Sequence, residues 1–82
     1  MSRGRYRFHL TNGRDALFDR DGTLMRSEAR MWSHAVMLAQ DAMASCGSRF
    51  DWSGWIVDVH DGRGRRVMLL SFSDVPEVAI AA

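Results

Sequence analysis

The stretch RYRFHLTNG, residues 5–13, carries the pattern that decides the fold. Its polar and apolar side chains alternate, which is typical of a strand with one buried face. The side chains that face the core are then Tyr6, Phe8 and Leu10. The Asn-Gly pair that ends the stretch suits the positive φ angles of a tight hairpin turn. We therefore expect a second strand to return at about 15–18.

The longest periodic segment of the chain lies at 28–46. Its apolar side chains recur in steps of three and four, which predicts one amphipathic helix. Ser27 is a suitable N-cap, and Glu28 suits the positive end of the helix dipole. The polar face of this helix includes His34, which we expect to be exposed. The apolar stripe is expected to comprise Ala29, Trp32, Ala35, Val36, Ala39, Ala42, Met43 and Cys46.

A second hairpin is predicted after the helix. Residues 55–60 alternate, residues 61–64 (DGRG) suit a turn, and residues 67–72 form the last strand. Val67 and Leu69 then lie on the face away from the helix. The side chains expected in or over the core are Trp32, Trp52, Trp55, Val57, Val59, Met68, Leu70 and Phe72.

The order strand, strand, helix, strand, strand predicts an α+β fold. The simplest packing of this ββαββ order lays the one helix on one face of a four-stranded, mainly antiparallel sheet. We expect a single domain over residues 5–75, with tails at 1–4 and 76–82.

Composition narrows the functional classes. The chain has 82 residues, of which 46% are hydrophobic and 26% charged, as in an ordinary globular domain. The net charge of +1 gives no bulk signature of a nucleic-acid binder, although all basic residues are arginines. No apolar run is long enough to span a membrane, and the first residues lack the apolar region of a signal peptide. These features predict a cytoplasmic protein without membrane contact.

The segment DRDGT, residues 19–23, resembles the nucleophile loop of haloacid-dehalogenase-type phosphatases. In that class the counterpart of Asp19 attacks phosphorus, and Asp21 would be the general acid. The class also needs a downstream lysine and an acidic pair, and this sequence has no lysine and no adjacent acidic pair after the motif. We therefore interpret the segment as a turn, after which Leu24 and Met25 extend the strand or anchor the chain on the core.

Several segments in order resemble a known family. They are RYRFHLTNG at 5–13, DRDGT at 19–23, the Ala-rich helix, DWSGWIVDV at 51–59, DGRGR at 61–65 and FSD at 72–74. Over about residues 5–75 the chain resembles a family of short bacterial proteins catalogued as domain of unknown function 6894. The resemblance implies a compact bacterial domain with no established activity and no assigned catalytic residues.

One face of the predicted sheet carries the candidate site. If the first and third strands are neighbours, His9, Asp58 and His60 cluster opposite the helix. This face is either a solvated surface with cross-strand charge pairs, a surface for a partner or nucleic acid, or, least favoured, a metal site. The candidate partner or nucleic-acid residues are Arg5, Arg7, His9, Ile56, Asp58 and His60.

Exposed apolar side chains on the same face favour a partner. The simplest partner is a second copy, bound face to face or through edge strands, but Val75, Val78 and Ile80 of the tail folding back is an equal alternative. The sequence thus favours a small, non-enzymatic interaction module that forms a homodimer. The alternative is a nucleic-acid-binding or regulatory domain that uses the Arg-rich face. No cofactor and no metal is expected, and a small-molecule ligand stays unknown.

Overall fold

The structure, a computed structural model, describes residues 4–46 and 51–75. Within them the chain forms five strands and one helix, and the α+β class expected from the sequence is confirmed. The predictions for Val78 and Ile80 lie outside the described residues. In chain order the elements are β1 (Gly4–Thr11), β2 (Ala16–Leu17), β3 (Thr23–Met25), α1 (Glu28–Cys46), β4 (Ile56–His60) and β5 (Arg66–Ser71), with a 3₁₀ turn at Phe72–Asp74.

The sheet is built around β1, and every pairing between described strands is antiparallel. On one side β1 pairs with β4, which in turn pairs with β5. On its other side β1 pairs with β2 near its end and with β3 near its start. One edge of the sheet is therefore interrupted and short, and the other is the six-residue strand β5.

The first hairpin is shorter than the sequence suggested. The side chain of Asn12 closes its loop, because Oδ1 accepts the backbone N–H groups of Arg14 and Asp15 at 2.9 and 2.7 Å. The returning strand β2 has only two residues. The chain then leaves the edge of β1 and comes back as β3, which places Met25 in the core.

The helix has the expected bounds, and its predicted apolar stripe is confirmed at Ala35 and Ala39 but wrong at Trp32. Met31, Ala35 and Ala39 are its buried residues, whereas Trp32 is 46% exposed. Apolar residues occupy so much of this helix that two stripes, about one position apart, fit the same spacing. Ala35 and Ala39 belong to both stripes, and the structure selects the one that includes Met31. Of the predicted stripe, Ala29 and Cys46 are also exposed.

The core lies between α1 and the sheet. The alternation predicted for β1 and β4 is confirmed. His34 is half-buried rather than exposed, because its ring packs edge-on against Phe8 with centroids 4.6 Å apart. Trp52 stacks on Phe72 at 5.2 Å and caps one end of the core. The buried apolar residues are Tyr6, Phe8, Met25, Met31, Ala35, Ala39, Trp55, Val57, Val59, Leu70, Phe72 and Val75.

Candidate interaction surface

The face of the sheet opposite α1, here called the open face, carries the residues singled out from the sequence. β1 and β4 are neighbours, with Arg7 opposite His60 and His9 opposite Asp58. Because alternate side chains share a face, these four lie together on the open face. Its full set of sequence-predicted residues is Arg5, Arg7, His9, Ile56, Asp58 and His60.

Asp58 is the centre of the polar network on this face, and it is only 9% exposed. Arg66 binds it in a two-pronged contact, with Nε at 2.8 Å from Oδ1 and Nη2 at 3.2 Å from Oδ2. His60 Nε2 lies 3.0 Å from Oδ1. Burial by itself raises the pKa of Asp58, but the bonds from Arg66 and His60 outweigh it and lower the pKa. The carboxylate is therefore held ionised and fixes β5 against β4.

Arg66 was missed in the sequence, and a β-bulge explains why. The register places Val59 opposite Met68 but His60 opposite Arg66, so Val67 is the extra residue on β5. A bulge of this kind re-aims the neighbouring side chain. The bulge puts Arg66 on the open face, beside Asp58. Without it, the alternation of side chains would place Arg66 on the side of the sheet that faces α1.

The two histidines meet at the centre of the open face. The rings of His9 and His60 lie edge to face with centroids 5.2 Å apart, and Phe18 packs on His9 at 5.4 Å. Phe18 itself is 73% exposed. Burial, followed by the neighbouring His60, lowers the pKa of His9. A shallow cleft of about 490 Å³ lies here, lined by His9, Thr11, Gly13, Arg14, Asp15, Ala16, Phe18, Asp58 and His60.

The phosphatase-like segment forms the loop between β2 and β3. Asp19 accepts the backbone N–H of Phe8 at Oδ2 (3.1 Å) and that of Gly22 at Oδ1 (2.9 Å). Burial opposes ionisation, but these backbone bonds outweigh it and lower the pKa of Asp19. Both carboxylate oxygens thus hold the loop against the sheet, and the flanking strands are antiparallel to β1.

Two arginines of the open face already bond to oxygen atoms of the chain. Arg5 Nη1 donates to the carbonyls of Asp21 and Gly22 at 3.2 and 3.3 Å, and Arg66 binds Asp58. These two arginines therefore serve the fold at least as much as they offer charge to a ligand.

Among residues 4–46 and 51–75, no group of three or more His, Cys, Asp or Glu side chains is placed to hold a metal ion.

The free edge of β5 borders the open face. Phe72 donates its backbone N–H to Trp55 O at 3.0 Å, and backbone groups alternate in direction along an antiparallel strand. The N–H and C=O groups of Leu69 and Ser71 therefore point away from β4, and no described strand pairs with them. The side chains of Leu69 and Val67 are also 45% and 43% exposed. The sequence predicted these exposed side chains but left the strand order open.

Over residues 4–46 and 51–75, the fold and this surface define a small α+β domain with an open antiparallel sheet, in which no described strand pairs with the outer edge of β5. The chain belongs to the family described as Domain of unknown function (DUF6894), whose model matches residues 5–73, and the resemblance predicted from the sequence is confirmed. No curated protein and no solved structure gives a significant match to the chain. Over the described residues, no helix is both long and apolar enough to cross a membrane.

Proposed function

We propose that this protein is a small, non-enzymatic interaction module of the bacterial cytoplasm that self-associates. The observation that carries the proposal is the run of exposed apolar side chains, Val67 and Leu69, beside outward-facing backbone groups on β5. A strand edge of this kind is a ready template for pairing with another chain. The second copy is the partner that is always available at the protein's own concentration.

The open face itself supports a face-to-face dimer less well. The charged side chains described above on this face include three arginines, Arg5, Arg7 and Arg66, against the carboxylate of Asp58. Two such faces placed against each other would bring like charges together, which is unfavourable away from water. Self-association through the side of the sheet avoids this repulsion.

Nucleic-acid binding is the second candidate, because Arg5 and Arg7 are exposed on one side of β1. Against it, the overall charge is only +1, and Arg5 and Arg66 already bond to the chain. If the arginines bound phosphates, the affinity for nucleic acid would fall steeply as the salt concentration rises. We expect the protein to elute from a heparin column at low salt, as its net charge predicts.

Sedimentation velocity over a wide concentration series tests the proposal. Self-association predicts a weight-average sedimentation coefficient that rises with concentration toward the value of a dimer. A coefficient that stays at the monomer value up to the highest concentration, together with salt-dependent retention on DNA, would favour the second candidate instead. The same samples at low and high salt separate apolar and backbone pairing, which tolerates salt, from charge-driven association.

A further inference from the structure

We infer that two copies pair through β5, antiparallel to each other, about a two-fold axis that passes at Leu69. The inference rests on the self-association proposed above and names its surface and register. The result is one continuous sheet across the two copies, with both helices on the same side.

The two edges of the sheet differ in their fitness for pairing. One edge is formed by β2, with two residues, and β3, with three, and the Asp19 loop interrupts it. Short, broken edges resist pairing. The other edge is β5, which has six residues and no proline. Among the described strands, β5 offers the longer edge to a second chain, regular from Met68 to Ser71 beyond the bulge at Val67.

The register follows from the direction of the backbone groups. Leu69 and Ser71 point their N–H and C=O groups outward, as the bond from Phe72 to Trp55 requires. Placing Leu69 opposite the second copy's Leu69 lets the two residues exchange both of their backbone bonds. Ser71 then lies opposite the second copy's Val67. The exposed side chains of Val67 and Leu69 thus each gain a neighbour across the new ladder.

Charge along β5 selects the antiparallel arrangement. Arg65 and Arg66 lie at the start of the strand, where they pair with Asp61 and Asp58, and Asp74 follows its end, where it is exposed. An antiparallel pair brings the basic start of each copy toward the acidic end of the other. A parallel pair would place arginine beside arginine and Asp74 beside Asp74. The antiparallel pair therefore avoids the like-charge contacts that a parallel pair would create.

Cysteine cross-linking tests the register. In a Cys46→Ser background, Leu69→Cys places two thiols opposite each other on strands whose Cα atoms are about 5.5 Å apart, within the range of a disulfide. We expect mild oxidation to give a covalent dimer. The matched control is Leu24→Cys, another exposed leucine, on the opposite edge. Equal cross-linking of the two variants would overturn the inference.

A proline variant tests the backbone pairing without breaking the fold. Ser71 has φ −75° and ψ 138°, which proline can adopt, and its N–H points away from β4. Ser71→Pro should therefore weaken the dimer by about tenfold or more, since a backbone bond is lost from each copy. Ser71→Ala is the control, because it removes the same hydroxyl, which accepts from Ser73 N–H, but keeps the backbone donor. Circular dichroism verifies that both variants fold.

The outcomes separate this inference from the proposed function. A wild-type dimer that Ser71→Pro leaves unchanged would contradict pairing through β5 while self-association stands. A wild-type protein that is monomeric at all concentrations would contradict both. Loss of the dimer in Ser71→Pro alone, with Leu69→Cys cross-linking, supports both.

Discussion

His9 Nδ1 accepts a hydrogen bond from the backbone N–H of Asp19 at 3.0 Å. This bond assigns the ring proton of neutral His9 to Nε2, since an accepting nitrogen carries no proton. It also joins β1 to the loop between β2 and β3. A second bond joins the same two segments, because the Asp19 carboxylate accepts the backbone N–H of Phe8. Protonation of His9 would place two donors against each other, so the contact requires the neutral ring.

Stability should therefore fall in mild acid. Folding lowers the pKa of His9, mainly through burial and then through His60, while Asp19 and Asp58 act in the opposite sense and Arg7 in the same sense. The unfolded chain then binds this proton more readily. The contribution of neutral His9 to the free energy of unfolding is complete above pH 6.5, the ordinary pKa of histidine, and is lost as the pH falls below that value.

Urea unfolding at pH 8 and pH 5 measures this dependence. His9→Asn is the matched variant, because its amide oxygen can accept the same N–H and does not titrate. We expect wild type to lose more unfolding free energy than His9→Asn between the two values. The two proteins differ only at residue 9, so the difference between their losses reports on the His9 side chain and its contacts. Identical losses would show that the His9–Asp19 contact does not depend on ring charge.

Asp19 should matter for stability. Asp19→Ala leaves the N–H groups of Phe8 and Gly22 without their acceptor, and we expect it to lower the unfolding free energy by about 2 kcal/mol. Asp21→Ala is the control in the same loop, because Arg5 bonds to the backbone oxygen of Asp21 rather than to its side chain. That variant should stay within about 0.5 kcal/mol of wild type. Thermal or urea unfolding that gives equal losses would refute the structural role of the carboxylate.

Gly22 and Gly64 form a matched pair that separates backbone strain from crowding. Both have positive φ, +72° and +81°, so alanine costs about 1–2 kcal/mol at either position. At Gly22 an added Cβ would also lie 2.8 Å from Arg5 Cγ and 3.0 Å from Tyr6 O, whereas at Gly64 nothing lies within 4 Å. We expect Gly22→Ala to be less stable than Gly64→Ala by about 1 kcal/mol or more. Equal stabilities would mean that the loop moves freely away from β1.

The rotation of α1 is tested by two adjacent residues. Met31 is fully buried, so Met31→Ala should cost about 2–5 kcal/mol by leaving a cavity. Trp32 is half-exposed, and Trp32→Ala should cost about 1 kcal/mol or less despite the larger side chain. Chemical denaturation of the two variants gives both values. The reverse order would restore the stripe that the spacing alone suggested.

Local patterns explain what the sequence could predict. The period of two placed Tyr6 and Phe8 in the core, and the period near 3.6 gave the helix its bounds, because both depend only on neighbouring residues. The meeting of His9 and His60 was predicted on the condition that their strands are neighbours, and they are. Whether these residues bind a partner stays a prediction.

Contacts between distant segments explain what the sequence could not predict. The choice of Met31 over Trp32 as the buried residue depends on how the helix meets the sheet. The role of Arg66 depends on a bulge at Val67, which no local pattern announces. The return of the chain as β3 depends on hydrogen bonds from Asp19 to β1. Each depends on contacts between residues that are far apart in the sequence.

Amide hydrogen exchange along β5, measured at several protein concentrations, tests most directly whether this edge binds a second copy. The amides of Leu69 and Ser71 should exchange rapidly in dilute protein and become protected as concentration rises. The amide of Leu70 points toward β4 and should be protected throughout, which makes it the internal reference. Exchange at Leu69 and Ser71 that does not change with concentration would contradict the account.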